Sequence, residues 1–196
     1  FHEQDWPPLA PPSSPYGLTK DIGERILRGL PDHWSVCSLR YFNPIGAHVS
    51  GRLGDNSASN VVGRVLQCIA QGTPFTIFGN DYDTPDGTPV RDFIHVTDVA
   101  CAHVQTLTHL PQGRKTSFNI GTGSGNSVLQ LAQAFQARAQ LSVVFEGRRH
   151  GDVARSVADA QEFARLFHWR PRHTLDDMVR DALQASEKEK VLPLQK

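Results

Sequence analysis

Apolar residues recur at helical spacing over residues 16–30, where Ile22, Ile26, Leu27 and Leu30 supply one side of a predicted helix. Gly23 in its interior costs about 1 kcal/mol relative to Ala. Residues 34–41 alternate and then run apolar, as a buried strand does, and residues 46–57 read as loop. A helix over residues 60–70 and a short strand at 75–78 follow. Residues 79–89 are rich in Asn, Asp, Gly and Pro and predict a long ordered turn. Residues 90–96 read as one strand, with Thr97 as N-cap of a helix to about His109. Next come a strand at 117–120, a glycine loop, a helix from Val128 to about Ala139 capped by Ser127, and a strand at 142–145. The last two helices fall near residues 158–167 and 175–187. Thr174-Leu175-Asp176-Asp177 has the form of a capping box with Asp in place of Glu. Residues 1–15, with five prolines, read as extended loop, and residues 188–196 as a frayed tail. Strands alternating with helices make the expected class α/β.

Composition narrows the partners. The 196 residues suit one compact domain or a domain and a half, and 39% hydrophobic content suffices for a core. Lys plus Arg equals Asp plus Glu, so the formal charge is zero. That argues against nucleic acid or an anionic membrane as the main partner. Cys37, Cys68 and Cys101 are isolated and odd in number, which fits neither a disulfide framework nor a metal site and suits a reducing cytoplasm. No apolar run is long enough to span a bilayer, and no signal peptide is visible at the start of the chain. The nine histidines show no metal-binding spacing, so no metal is expected.

One segment imitates a dinucleotide-binding loop. Gly121-Thr122-Gly123-Ser124-Gly125 follows a predicted strand and precedes a helix, and an acid, Glu146, ends the next strand. Its third glycine comes one residue early for Gly-x-Gly-x-x-Gly, so its packing role is unmatched. A tight turn needing positive φ is the better reading.

Candidate chemistry begins at Tyr16-Gly17-Leu18-Thr19-Lys20. On a helix, Tyr16 and Lys20 share one face. An ammonium beside a phenol favours the phenolate, and such a phenol can serve as a general acid/base. Alone, the pair is common on solvated helices. Further along stand Leu39-Arg40-Tyr41-Phe42-Asn43-Pro44-Ile45-Gly46-Ala47-His48, Phe78-Gly79-Asn80-Asp81-Tyr82, Asp86-Gly87-Thr88-Pro89-Val90-Arg91-Asp92-Phe93-Ile94-His95-Val96 and Arg148-Arg149-His150-Gly151-Asp152. With Tyr16-x-x-x-Lys20-x-x-x-Glu24, these blocks resemble, in order and approximate spacing, the extended short-chain dehydrogenase/reductase family, and within it the UDP-glucose 4-epimerases. The resemblance runs from about Ser14 to about Met178.

The resemblance implies a partial Rossmann-type fold that lacks its N-terminal dinucleotide-binding half, since the catalytic Tyr of the family follows such a half. Residues 1–50 would be the remnant of the NAD-binding domain, and residues 51–196 a smaller α/β lobe that binds UDP-sugar. Tyr16 would move the proton at the sugar O4 during transient oxidation at C4 with NAD as cofactor. Lys20 would hold the nicotinamide ribose, with Phe42 beside the nicotinamide and Asn43 at the sugar. Asn60 and Val61 would meet the sugar-diphosphate, and Thr76, Ile77 and Phe78 the uracil. Arg91, Arg149 and Asp152 would take the diphosphate and uridine ribose. Ser156, a small residue where some epimerases carry Tyr, would leave room for an N-acetylated sugar. A homodimeric parent enzyme is implied, the isolated chain being inactive and weak for NAD. Bland readings stand beside these: Phe78 as core, Arg148 and Arg149 as surface charge. The alternatives are another NAD-dependent nucleotide-sugar epimerase or dehydratase, or an inactive half-domain that only binds a nucleotide or a partner chain.

Overall fold

The computed structural model describes residues 14–191 apart from residue 56, and the readings for residues 1–13 and 192–196 lie outside it. Helix α1 (Pro15–Arg28) opens on Ser14, whose hydroxyl accepts from Gly17 N–H at 3.1 Å, with Pro15 in the first turn, where its missing N–H costs nothing. Strand β1 (Val36–Tyr41) leads through Phe42 into β2 (Asn43–Ile45). Helix α2 (Val61–Gln71) is capped by Asn60 and stops at Gly72 in the left-handed region. Then follow β3 (Phe75–Phe78), β4 (Val90–Arg91), β5 (Phe93–His95), α3 (Val96–His109), β6 (Lys115–Ile120), β7 (Asn126–Ser127) and α4 (Val128–Gln136). The chain continues through β8 (Val143–Glu146), β9 (Arg155–Ser156), α5 (Gln161–Phe167) and α6 (Leu175–Val191).

Pairing is mostly parallel and non-local. β1 runs with β6, β2 with β5, and β3 with β8, while β4 lies between β7 and β9. Parallel pairs require crossover helices, and α2, α3 and α4 supply them. One core gathers Val62, Val65 and Leu66 of α2, Leu131 and Phe135 of α4, Met178 and Val179 of α6, and Phe75, Ile77 and Phe93 of the strands. A second core stacks Phe163 on Phe167, with Phe118 meeting both edge-on and Trp169 closing the cluster. Cys37 and Leu39 of β1 pack against this second core. Residues 14–50 are thus joined to the rest by sheet pairing and by packing. Among the described residues, no helix is long and apolar enough to cross a membrane.

Four local expectations are corrected. The strand over residues 90–96 breaks at Asp92, and its halves enter different sheets. The apolar run hid the break because Val90, Phe93 and Ile94 are all buried on either side of it. Helix α3 is capped by His95, whose Nδ1 accepts from Thr97 N–H at 3.0 Å, so Thr97 is a helical residue and not the cap. The helix expected from residue 158 begins at Gln161, because Ala158 N–H is engaged by the Asp92 carboxylate. The expected tail at 188 is helical to Val191, and Lys188 Nζ donates to Ser50 O at 2.7 Å. Ser127 caps α4 as read, with Gln130 completing a capping box, and the capping box at Thr174/Asp177 forms as read.

His95 also ties α3 to α6. Since its Nδ1 accepts from Thr97, Nε2 carries the ring proton and donates to Asp181 Oδ2 at 3.2 Å. Asp181 also accepts from Arg180 Nε at 2.8 Å, while His173 stacks on the His95 ring at 4.0 Å and bonds Asp98. The ring lies so close to Gly46 that a side-chain carbon there would stand 2.9 Å from it. Burial, first, and the facing His173 hold His95 below the usual histidine range, against the pull of Asp181 and Asp98. Its proton affinity is therefore lower folded than unfolded. Stability from this residue is complete above the unfolded value of about 6.5 and is lost as pH falls below it. Urea unfolding at pH 7 and pH 5 should show the wild type weakening by up to about 1.4 kcal/mol per pH unit from this residue. His95→Gln should show a shallower dependence, and parallel slopes would refute the assignment.

Candidate functional site

The first turn of α2, strand β3, the start of β4 and the 149–152 turn enclose one cavity of about 180 Å³. Asn43, Asn60, Val61, Thr76, Ile77, Phe78, Arg91, Arg149 and Asp152 all line it. Each of these was named from the sequence, and segments far apart in the chain bring them together. Asn60 reaches the cavity as the cap of α2, its Oδ1 accepting from Gly63 N–H at 2.8 Å. Phe78 stands at the end of β3 with Arg149 stacked on its ring, the guanidinium carbon 3.6 Å from the ring centre.

Strand β3 offers its backbone as well. Phe75 and Gly79 donate to the carbonyls of Ser142 and Glu146, both at 2.8 Å, on the β8 side. Backbone groups alternate sides along a strand, so those of Thr76 and Phe78 face the opposite edge. Among the described residues that edge has no partner strand. A donor and an acceptor at fixed spacing beside an aromatic ring suit a planar imide such as uracil.

Arg91 is held ready. Its Nη1 donates to Val90 O at 2.9 Å and Val153 O at 2.8 Å, and its Nη2 lies 3.7 Å from Asp152 Oδ1. The 149–152 turn closes with Asp152 N–H on Arg149 O at 3.2 Å. Beside it, Arg148 spans Asp81 Oδ1 at 2.7 Å and lies over the Tyr82 ring at 4.2 Å. The Asp81 carboxyl is held below the usual range by that bond, and Arg148 is raised by it. Arg148 therefore pins the turn that carries Arg149, and its partner Asp81 marks it as a tether.

Tyr16, Lys20, Phe42 and Ser156 do not line this cavity. Tyr16 is 71% exposed, with Lys20 Nζ 5.1 Å from its ring centre on the same face of α1. Contacts that fix α1 include Glu24, which accepts from Arg40 Nε and Nη2 at 2.6 and 2.7 Å, and Arg28, which donates to Ser117 at 3.1 Å. Phe42 follows the last residue of β1, at the carboxyl end of the parallel β1–β6 pair. Ser156 pairs with Arg91 across β4 and β9. Sequence reasoning passed over Arg64, Ser59, Phe75, Pro89, Phe93 and Val128 of the lining. For Arg64 a signal existed, since it follows Asn60 and Val61 at four- and three-residue spacing.

The glycine loop is no phosphate cradle. Its N–H groups at Thr122 and Gly123 point to Asp92, at 2.8 and 3.0 Å, so an acid already occupies the donors an anion would need. Only Gly123 of the three glycines has positive φ. Gly121 and Gly125 are needed for room: a side-chain carbon would lie 2.6 Å from Asp92 Oδ2 at the first and 2.4 Å from Val90 at the second. Among the described residues no cluster of His, Cys, Asp or Glu could hold a metal ion.

The NAD dependent epimerase/dehydratase family matches residues 2–121, more than half of the chain. A UDP-glucose 4-epimerase of Dictyostelium discoideum is 41% identical over 190 residues, covering 91% of this chain and 55% of its own. A UDP-glucose 4-epimerase from Stenotrophomonas maltophila, solved with bound NAD and formylated UDP-arabinopyranose, superposes with a TM-score of 0.85 at 40% identity, over 97% of this chain and 61% of that one. The Bifidobacterium longum enzyme, in complex with NAD+ and UDP, gives 0.84 at 37% identity, over 93% of this chain and 57% of that one. The chain spans about half the length of the curated relatives it matches. With a Rossmann-like α/β fold of the extended short-chain dehydrogenase/reductase type, the chain belongs to the NAD dependent epimerase/dehydratase family.

Proposed function

We propose that this chain carries the UDP-sugar site and the proton-transfer pair of an NAD-dependent UDP-glucose/UDP-galactose 4-epimerase. The observation that carries the reading is the cavity. An aromatic wall at Phe78, an open backbone edge on β3 and guanidiniums at Arg91 and Arg149 suit base and diphosphate in turn. Asn43 would place the sugar, and Asp152 accept from a ribose hydroxyl.

Tyr16, Lys20 and Phe42 fit the nicotinamide end of NAD. The first two share one face of α1, and Phe42 stands at the carboxyl end of a parallel pair, where cofactors lie in such sheets. When bound, NAD supplies the acceptor and donor for the C4 hydride. Tyr16 takes the O4 proton and gives it back, and Lys20 stands beside its ring. The small Ser156 would accommodate a larger substituent on the sugar, which extends the reading to N-acetylated UDP-sugars.

Calorimetric titration of the 196-residue chain with UDP tests the cavity. The wild type is expected to bind, and Arg149→Ala to bind about 10- to 100-fold more weakly, the worth of a charge-assisted phosphate contact. A chain that ignores UDP, or an Arg149→Ala variant of wild-type affinity, overturns the assignment.

A further inference from the structure

Asn60, Val61 and Arg64 occupy one face of the first turn of α2, and all three line the cavity. The opposite face, Val62, Val65 and Leu66, is buried in the core, so the helix cannot rotate Arg64 away. The Arg64 guanidinium carbon lies 5.6 Å from the Phe78 ring centre, on the same ring that carries Arg149 at 3.6 Å. Two like charges therefore share one aromatic side chain. Among the described residues neither forms an ion pair, and Asp152, the one lining carboxylate, lies against Arg91. Three guanidiniums and one carboxylate line the cavity, a formal charge of +2. That matches a dianionic diphosphate; without Arg64 the cavity would be one charge short. The amino end of α2 adds further positive potential at Asn60.

We propose that Arg64 is a third diphosphate-binding cation of this site, beside Arg91 and Arg149. The three divide the work by how they are held. Arg91 is fixed by two carbonyls and a nearby carboxylate, whereas among the described residues the side chains of Arg64 and Arg149 rest on the face of Phe78 without an ion pair. Aromatic contact at a partly buried ring is weaker than a charge-assisted bond to phosphate, so the anion draws both side chains off the ring. Their removal also opens the ring to the base. Arg64 thus couples the diphosphate to the nucleobase subsite.

The inference rests on the nucleotide reading above, and the test separates the two. The 196-residue chain is titrated with UDP by calorimetry and with uridine, which lacks phosphate, by ligand-observed NMR. Arg64→Gln keeps much of the side chain and removes the charge. It is expected to weaken UDP about 10- to 100-fold while leaving uridine within about twofold. Arg64→Lys, which keeps the charge but loses the planar fork, should fall between. Equal loss of UDP and uridine would make Arg64 a base contact and overturn the proposal, as would UDP binding unchanged in Arg64→Gln. A wild-type chain that binds neither ligand refutes the nucleotide reading itself, and this inference with it.

Discussion

Asp92→Ala should destabilise the fold by about 4 kcal/mol or more, a large part of the roughly 5–15 kcal/mol that holds a domain together. Asp92 is fully buried. Its Oδ1 accepts from Thr122 N–H at 2.8 Å and Thr122 Oγ at 2.6 Å, and its Oδ2 from Gly123 N–H at 3.0 Å and Ala158 N–H at 3.1 Å. Alanine would take the acceptor from the N–H groups of Thr122, Gly123 and Ala158, of which Ala158 is buried, and an unpartnered buried donor costs about 1–3 kcal/mol, while the Thr122 hydroxyl can still donate to Ser124 O at 2.8 Å. Asparagine is no remedy. Whichever way the amide turns, its NH2 faces at least one backbone N–H. Both variants should lower the urea midpoint sharply, Ala more than Asn. A midpoint equal to that of the wild type for either one would show that these bonds are replaceable.

Tyr16→Phe should lower the turnover of UDP-galactose and UDP-glucose by about 10²- to 10⁴-fold in the epimerase proposed for this chain, the usual worth of a positioned acid/base. Only the phenol oxygen is removed. The Lys20 contact is with the ring, and the Ser14 cap and the Glu24–Arg40 bonds that fix α1 are untouched. Tyr16 lies outside the cavity lining, so UDP affinity should stay at the wild-type value. Turnover undiminished in the Phe variant would remove Tyr16 from the chemistry. Turnover and UDP affinity falling together would point instead to a disturbed helix.

Elements with a strong period were legible: α1, α2, α4 and α6 lie close to where apolar spacing put them, and the Ser127 and Thr174 caps follow from local hydrogen-bonding chemistry. Nine cavity residues were legible through resemblance to a known family: Asn43, Phe78, Arg91, Arg149 and Asp152 lie in the blocks that carry it, and Asn60, Val61, Thr76 and Ile77 follow from the family's pattern between those blocks. What escaped depends on partners distant in sequence. Nothing local marks Asp92 as the acceptor for a loop thirty residues on, and an acid between apolar neighbours reads as an ordinary strand position. His95 is absent from the usual set of capping residues and qualifies only because Asp181 fixes its tautomer. Arg64 reads as the wet face of an amphipathic helix until Phe78 and Arg149 are brought against it. Lys188 looked like the start of a tail because charge density signals exposure, whereas its tether to Ser50 is a tertiary contact.

The pairing pattern has a kinetic consequence. Val36 meets Lys115, Asn43 meets Phe93, and Phe75 meets Val143, so none of these three ladders can start from a hairpin. Each needs a long loop closed before its first hydrogen bond forms, and that entropy opposes the nucleus until helices have condensed on it. Refolding from urea should therefore be slow for a chain of this length, with helical signal returning before the Trp169 environment does. During that interval the strands expose unpaired edges, and neighbouring molecules in a concentrated solution compete for them.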